Sequence, residues 1–148
     1  MFYIREFEFY ESDGYVCAVP FGLGGGTFGD DLDDAVDSAA DYLREAVDGM
    51  LIAGAEVPEP TFGNEPEHGG KVIAIAVDCD LDKVDSMTAA DAARALGVSR
   101  ARVAQMCESG MLQSWKDGGK RLVTRDSVEA RLAEQPKAGR PRKEAAKA

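Results

Sequence analysis

Hydrophobic and polar positions change rhythm several times along this chain, and each change predicts an element. Phe2 to Tyr10 is rich in aromatic residues and Tyr15 to Val19 in β-formers, with the turn-forming Glu11-Ser-Asp-Gly14 between them, so the pair predicts a β-hairpin. Pro20 closes the second strand. The glycine-dense Gly22-Leu-Gly-Gly-Gly26 leads into Thr27-Phe28, a short, edge-like third strand. From Asp31 to about Ala53, Leu32, Ala35/Val36, Ala39, Leu43, Ala46/Val47 and Met50/Leu51 recur at helical spacing. Asp30 can cap this helix, acids crowd the first turn where the dipole favours them, and Gly54 can end it in a left-handed conformation.

An extended connection follows through Val57-Pro-Glu-Pro60 to Gly70. Val72 to Val77 is then a continuous apolar run, as expected of a buried strand, which makes the order β-β-β-α-β. The charged stretch from Asp78 to Ser86 reads as a connection. After it the pattern changes character. Thr88 caps a helix in which Ala93 precedes Gly97 by one turn, and Ser99 caps a second helix with Val103 and Met106 inside it. A helix-turn-helix needs these features: a small residue at the crossing, a residue tolerating positive φ in the turn, and apolar residues locking the second helix. With Val103 inward, Ala101, Arg102 and Gln105 face outward, where Arg suits guanine edges and Gln adenine edges. Arg100, near that helix's start, suits phosphate. Met111 to Trp115 and Lys120 to Thr124 flank Lys116-Asp-Gly-Gly119, a hairpin with a basic tip that reads as a wing. Asp126 or Thr124 caps a closing helix through Val128 and Leu132, and Trp115 is large enough to cover the small core.

Charge sharpens this picture. The chain's net charge is −10, which by itself argues against nucleic acid. Its distribution reverses that argument: residues 1–86 carry four Lys/Arg and twenty Asp/Glu, a net of −16, whereas residues 87–148 carry thirteen and seven, a net of +6. Two modules with different partners follow, the basic one able to hold DNA phosphates.

Other chemistry is weakly represented. Cys17, Cys79 and Cys107 form neither a Cys-x-x-Cys pair nor an even set, so they read as small apolar residues, without a disulfide framework or zinc site. Asp30, Asp31, Asp33, Asp34 and Asp37 fan around a helix start instead of converging on an ion, so no metal is expected. Gly22 to Gly26 lacks the Gly-Lys-Ser/Thr of a phosphate loop. His68, the only histidine, has no neighbouring Ser or Cys nucleophile, and no catalytic residue or cofactor is expected. Met1-Phe-Tyr-Ile-Arg-Glu6 lacks a secretory layout and no apolar run is long enough for a bilayer, so a cytoplasmic protein without membrane partners is expected. Lys137-Ala-Gly-Arg-Pro-Arg-Lys143 is similar to the core of an AT-hook, though a solvated basic tail is the plainer reading.

Two resemblances add to this. Residues 87–134 resemble the winged helix-turn-helix of the excisionase and MerR-like family, with Gly110-Met-Leu112 entering the wing. Residues 1–82 resemble the N-terminal domain of HicB-family antitoxins in the aromatic first strand, in Gly14-Tyr15-Val16, in Gly29-Asp30 before an acidic helix containing Asp34-Ala35, and in Val57-Pro-Glu-Pro60. The family's Pro-Asp-Leu-Pro-Gly-Cys loop is replaced here by Pro20-Phe-Gly-Leu-Gly-Gly-Gly26. The resemblance implies a degraded ribonuclease-H-like domain that binds a small basic RNA-cleaving toxin, HicA.

The sequence thus predicts an α+β chain: an acidic β-β-β-α-β domain over residues 1–82, a linker at 83–86, a winged helix-turn-helix over 87–134 and a disordered basic tail at 135–148. The expected function is that of a non-enzymatic antitoxin of a type II toxin–antitoxin system, which neutralises its toxin and represses its own operon. The rival is a transcription regulator whose first domain senses a ligand or another protein. The residues expected at double-stranded operator DNA are Ser99, Arg100, Arg102, Gln105, Lys116, Lys120, Arg121 and Arg125. A homodimer or higher oligomer is expected, since one small module touches few base pairs.

Overall fold

The computed structural model describes residues 1–134 and divides the chain into two compact units, Met1–Lys83 and the residues from Val84 onward. The AT-hook-like segment and the expected disordered tail lie outside the described residues.

The first unit opens with β1 (Phe2–Ser12) and β2 (Tyr15–Pro20), joined through Asp13 and Gly14 at φ 53° and 84°. Two successive positive φ values are what a tight hairpin turn needs, hence Asp-Gly. After β3 (Thr27–Gly29), helix α1 (Leu32–Ala53) packs across the sheet, and β4 (Lys71–Asp78) completes the order β3-β2-β1-β4, antiparallel throughout. Phe7, Phe9, Ala18, Ile75 and Val77 form the inner face, against Ala35, Ala39, Leu43 and Val47 of α1. Small residues let helix and sheet approach closely. A Cβ on Gly29 would lie 2.3 Å from the Ala35 nitrogen, so only glycine fits there.

Several expectations change in detail. The helix cap is Asp31, whose carboxylate accepts the Asp34 N–H at 2.8 Å; Asp30 instead donates its own N–H to Asp34. The apolar run of β4 is half-buried, because β4 is an edge strand on which Ala74 and Ala76 are exposed. Of the charged stretch after it, Asp78 belongs to β4 and pairs with the Met1 amine (2.8 Å) and Lys83 (2.6 Å), while Cys79 is buried in the core. Burial, with Asp48 beside it, pushes the Cys79 thiol up to about 11; Cys17 and Cys107 are only partly buried.

The connection over residues 55–70 is pinned by three charged side chains of β1. Arg5, 2% exposed, donates to the carbonyls of Pro58 and Glu59. Glu6 accepts the N–H groups of Gly63 and Asn64, and the Asn64 amide. Glu8, also 2% exposed, accepts those of Glu67, His68 and Gly70 at 2.8–3.0 Å and faces His68 Nδ1 at 3.2 Å. His68 in turn stacks on Tyr10, centroids 4.1 Å apart.

The second unit runs β5 (Ser86–Thr88), α2 (Ala89–Leu96), α3 (Arg100–Glu108), β6 (Ser114–Asp117), β7 (Lys120–Thr124) and α4 (Arg125–Glu134), with sheet order β5-β7-β6. Thr88 accepts the Asp91 N–H and Ser99 that of Arg102, capping α2 and α3 as expected. Gly97, at φ 69°, turns the chain between them. Thr124, not Asp126, takes the N–H of Ser127 at the start of α4. Ala92, Ala93, Leu96, Val103, Met106, Leu112, Val123 and Val128 make the core. Trp115 is not part of it. In register with Leu122 and Thr88, it lies on the sheet face opposite Val123 and stays half-buried, because Leu112 and Val123 already fill the space under the helices.

Candidate nucleic-acid interface

The second helix of the pair presents its polar face cleanly. Val103 and Met106 are buried, which at helical periodicity turns Ala101, Arg102 and Gln105 outward, and all three are exposed. The Arg102 guanidinium lies 3.4 Å from the Gln105 amide oxygen, one turn on, so the two side chains extend side by side. Ser99 sits at the start of the same helix with its oxygen engaged in the cap.

Beside α3 lies a cleft of about 530 Å³. One wall is the start of α2, Thr88 to Ala90; Arg100 enters from α3; Lys116, Gly119, Lys120 and Arg121 enter from the β6–β7 hairpin. Arg100 of α3 and three cations of the wing hairpin thus converge on one concavity. Among the described residues, Arg100, Lys116 and Lys120 take part in no ion pair, so their charge is open to a ligand. The first N–H groups of α2 add the positive end of a helix dipole. Arg121 is half-buried, its guanidinium donating to Ser114 at 3.0 Å, which fixes it against the wing.

Arg125 is placed differently. It pairs with Asp85 at 3.0 Å and donates its backbone N–H to the Asp85 carbonyl, bracing the strand before α2. Seven of the eight residues expected at DNA therefore lie on the outer side of α3 or along the wing cleft, and Arg125 outside it. The α2 start carries no sequence signal for this site. It stands beside the wing because the three-residue β5, carrying only Met87 as an apolar signal, pairs with β7.

Residues 86–136 match the family model of a helix-turn-helix domain. The second unit is a helix-turn-helix domain. DNA binding and transcription regulation are the activities that such a domain suggests. The searches of curated proteins and of solved structures found no match.

No three His, Cys, Asp or Glu side chains group as metal ligands among the described residues. No helix there is long and apolar enough to cross a membrane.

Proposed function

We propose that the chain is a cytoplasmic, non-enzymatic antitoxin whose helix-turn-helix represses its own operon and whose first unit neutralises a basic, HicA-like RNA-cleaving toxin. The observation that carries the DNA half is the convergence of Arg100, Lys116, Lys120 and Arg121 on one cleft beside the exposed Arg102/Gln105 face. In this reading the cleft holds the phosphate backbone, which sets position and affinity, while Arg102 and Gln105 enter the major groove and read bases. Arg125 contributes at the rim through long-range charge alone. A dimer or higher oligomer presents two such modules to repeated half-sites.

The toxin half is supported by the resemblance of residues 1–82 to HicB domains, here read as degraded ribonuclease-H-like units, and by a net charge of −16 over residues 1–86. Co-expression with the neighbouring small reading frame, followed by size-exclusion chromatography and a growth assay of that frame alone, tests it. A stable complex with a growth-inhibiting partner is expected. A harmless or unbound neighbour would remove the toxin and leave a regulator with a sensing domain. Arg102→Ala is expected to weaken operator binding by about 1–3 kcal/mol, measured by fluorescence anisotropy, with toxin binding intact. Equal loss of both would contradict the division of labour.

A further inference from the structure

The sheet of the first unit has an outer face, turned away from α1, and strand register fixes what stands on it. Tyr10 is opposite Cys17, Cys17 opposite Phe28, and Ser12 opposite Tyr15, so Tyr10, Tyr15, Cys17 and Phe28 share that face. Tyr15 and Phe28 are 47% and 58% exposed and meet edge to face with centroids 5.3 Å apart. Together with Tyr10, Cys17, Val19 and Thr27 they line a cleft of about 570 Å³. Its floor is braced: Tyr10 stacks on His68, which Glu8 holds in place. Large aromatics left in water around a concavity are the ordinary mark of a docking surface.

Charge identifies the occupant. Asp13, at the hairpin tip, lines the cleft, and Phe28 is followed closely by the exposed Asp30, Asp31 and Asp33. Across residues 1–86, twenty acids face four basic residues, so a second acidic unit or a nucleic acid would be repelled. Aromatic faces and the Asp13 carboxylate in one cleft suit a guanidinium group, which stacks on the former and pairs with the latter. Resting on the antitoxin reading, we infer that this cleft is where the basic partner docks, and that it takes an arginine-rich segment of that protein against Tyr15, Phe28 and Asp13.

The test is calorimetric titration of the full-length protein with a nona-arginine peptide near physiological salt. Two variants accompany it: Tyr15→Ser/Phe28→Ser, which leaves the net charge unchanged, and Asp13→Asn, which suits the positive φ already present there. The double variant is expected to bind about tenfold more weakly and Asp13→Asn to lose less, with circular dichroism and duplex-DNA affinity unaltered. Equal affinity for wild type and double variant would show attraction by charge alone and overturn the assignment, as would a wild type that does not bind. Repeating the titration with the neighbouring frame's product separates the two claims. A product that does not bind, while the peptide still discriminates, overturns the antitoxin reading and leaves the cleft. A product that binds wild type and variant equally overturns the cleft and leaves the antitoxin reading.

Discussion

Glu8 is buried and ionised at once, and its surroundings explain how. Burial pushes its carboxyl up, but the N–H groups of Glu67, Gly70 and His68, with the His68 ring, outweigh that and hold it down at about 2. Because the folded value lies below the unfolded one, this stabilisation is complete above about pH 4.5 and is lost as pH falls toward 2. Denaturant unfolding of wild type and Glu8→Gln between pH 7 and pH 3 checks it. Wild type is expected to be the more stable at pH 7, by about 2 kcal/mol, with the gap closing as the pH falls; parallel profiles would contradict the anchoring role. Nothing near Glu8 in sequence announces this, since its partners come from residues 67–70. The caps are the opposite case. Thr88, Ser99 and Gly54 were legible because a cap acts within one helical turn, and the shift from Asp30 to Asp31 reflects two adjacent carboxylates of the same chemistry.

At the scale of elements, the turn between α2 and α3 sets how α3 is presented. Gly97 sits at φ 69° with open space around its missing side chain, so any cost of substitution is conformational instead of steric. Gly97→Ala is expected to lower the stability of the second unit by about 1 kcal/mol, seen as a lower melting midpoint by circular dichroism. An unchanged midpoint would mean the turn is not held in the left-handed conformation. The helices and the wing hairpin were readable because their signals are periodic or tied to particular turn residues. Three features were not. β5 is too short to show alternation, β4 looks buried because small alanines occupy its exposed positions, and size alone suggests that Trp115 covers the core, which it does not. Packing decides each of these, and Leu112 and Val123 had already filled the space. The outward direction of Arg102 and Gln105 was legible from the phase of Val103, whereas the gathering of Arg100 with wing lysines depends on how the hairpin folds back.

For the whole molecule, the division of charge matters more than its sum. A net of −16 over residues 1–86 and +6 over residues 87–148 gives the two units opposite electrostatic preferences, the first repelling a polyanion and the second attracting one. The helix-turn-helix reading predicts that the second unit binds duplex DNA through the cleft between α2, α3 and the wing. Its most direct test is the salt dependence of duplex binding, by fluorescence anisotropy, for wild type and the triple variant Arg100→Ala/Lys116→Ala/Lys120→Ala. Each phosphate contact removed is expected to reduce the slope of log affinity against log salt by about 0.9, with affinity falling similarly for every duplex sequence. An unchanged slope in the variant, or a wild type that ignores duplex DNA even at low salt, would contradict DNA binding through this cleft.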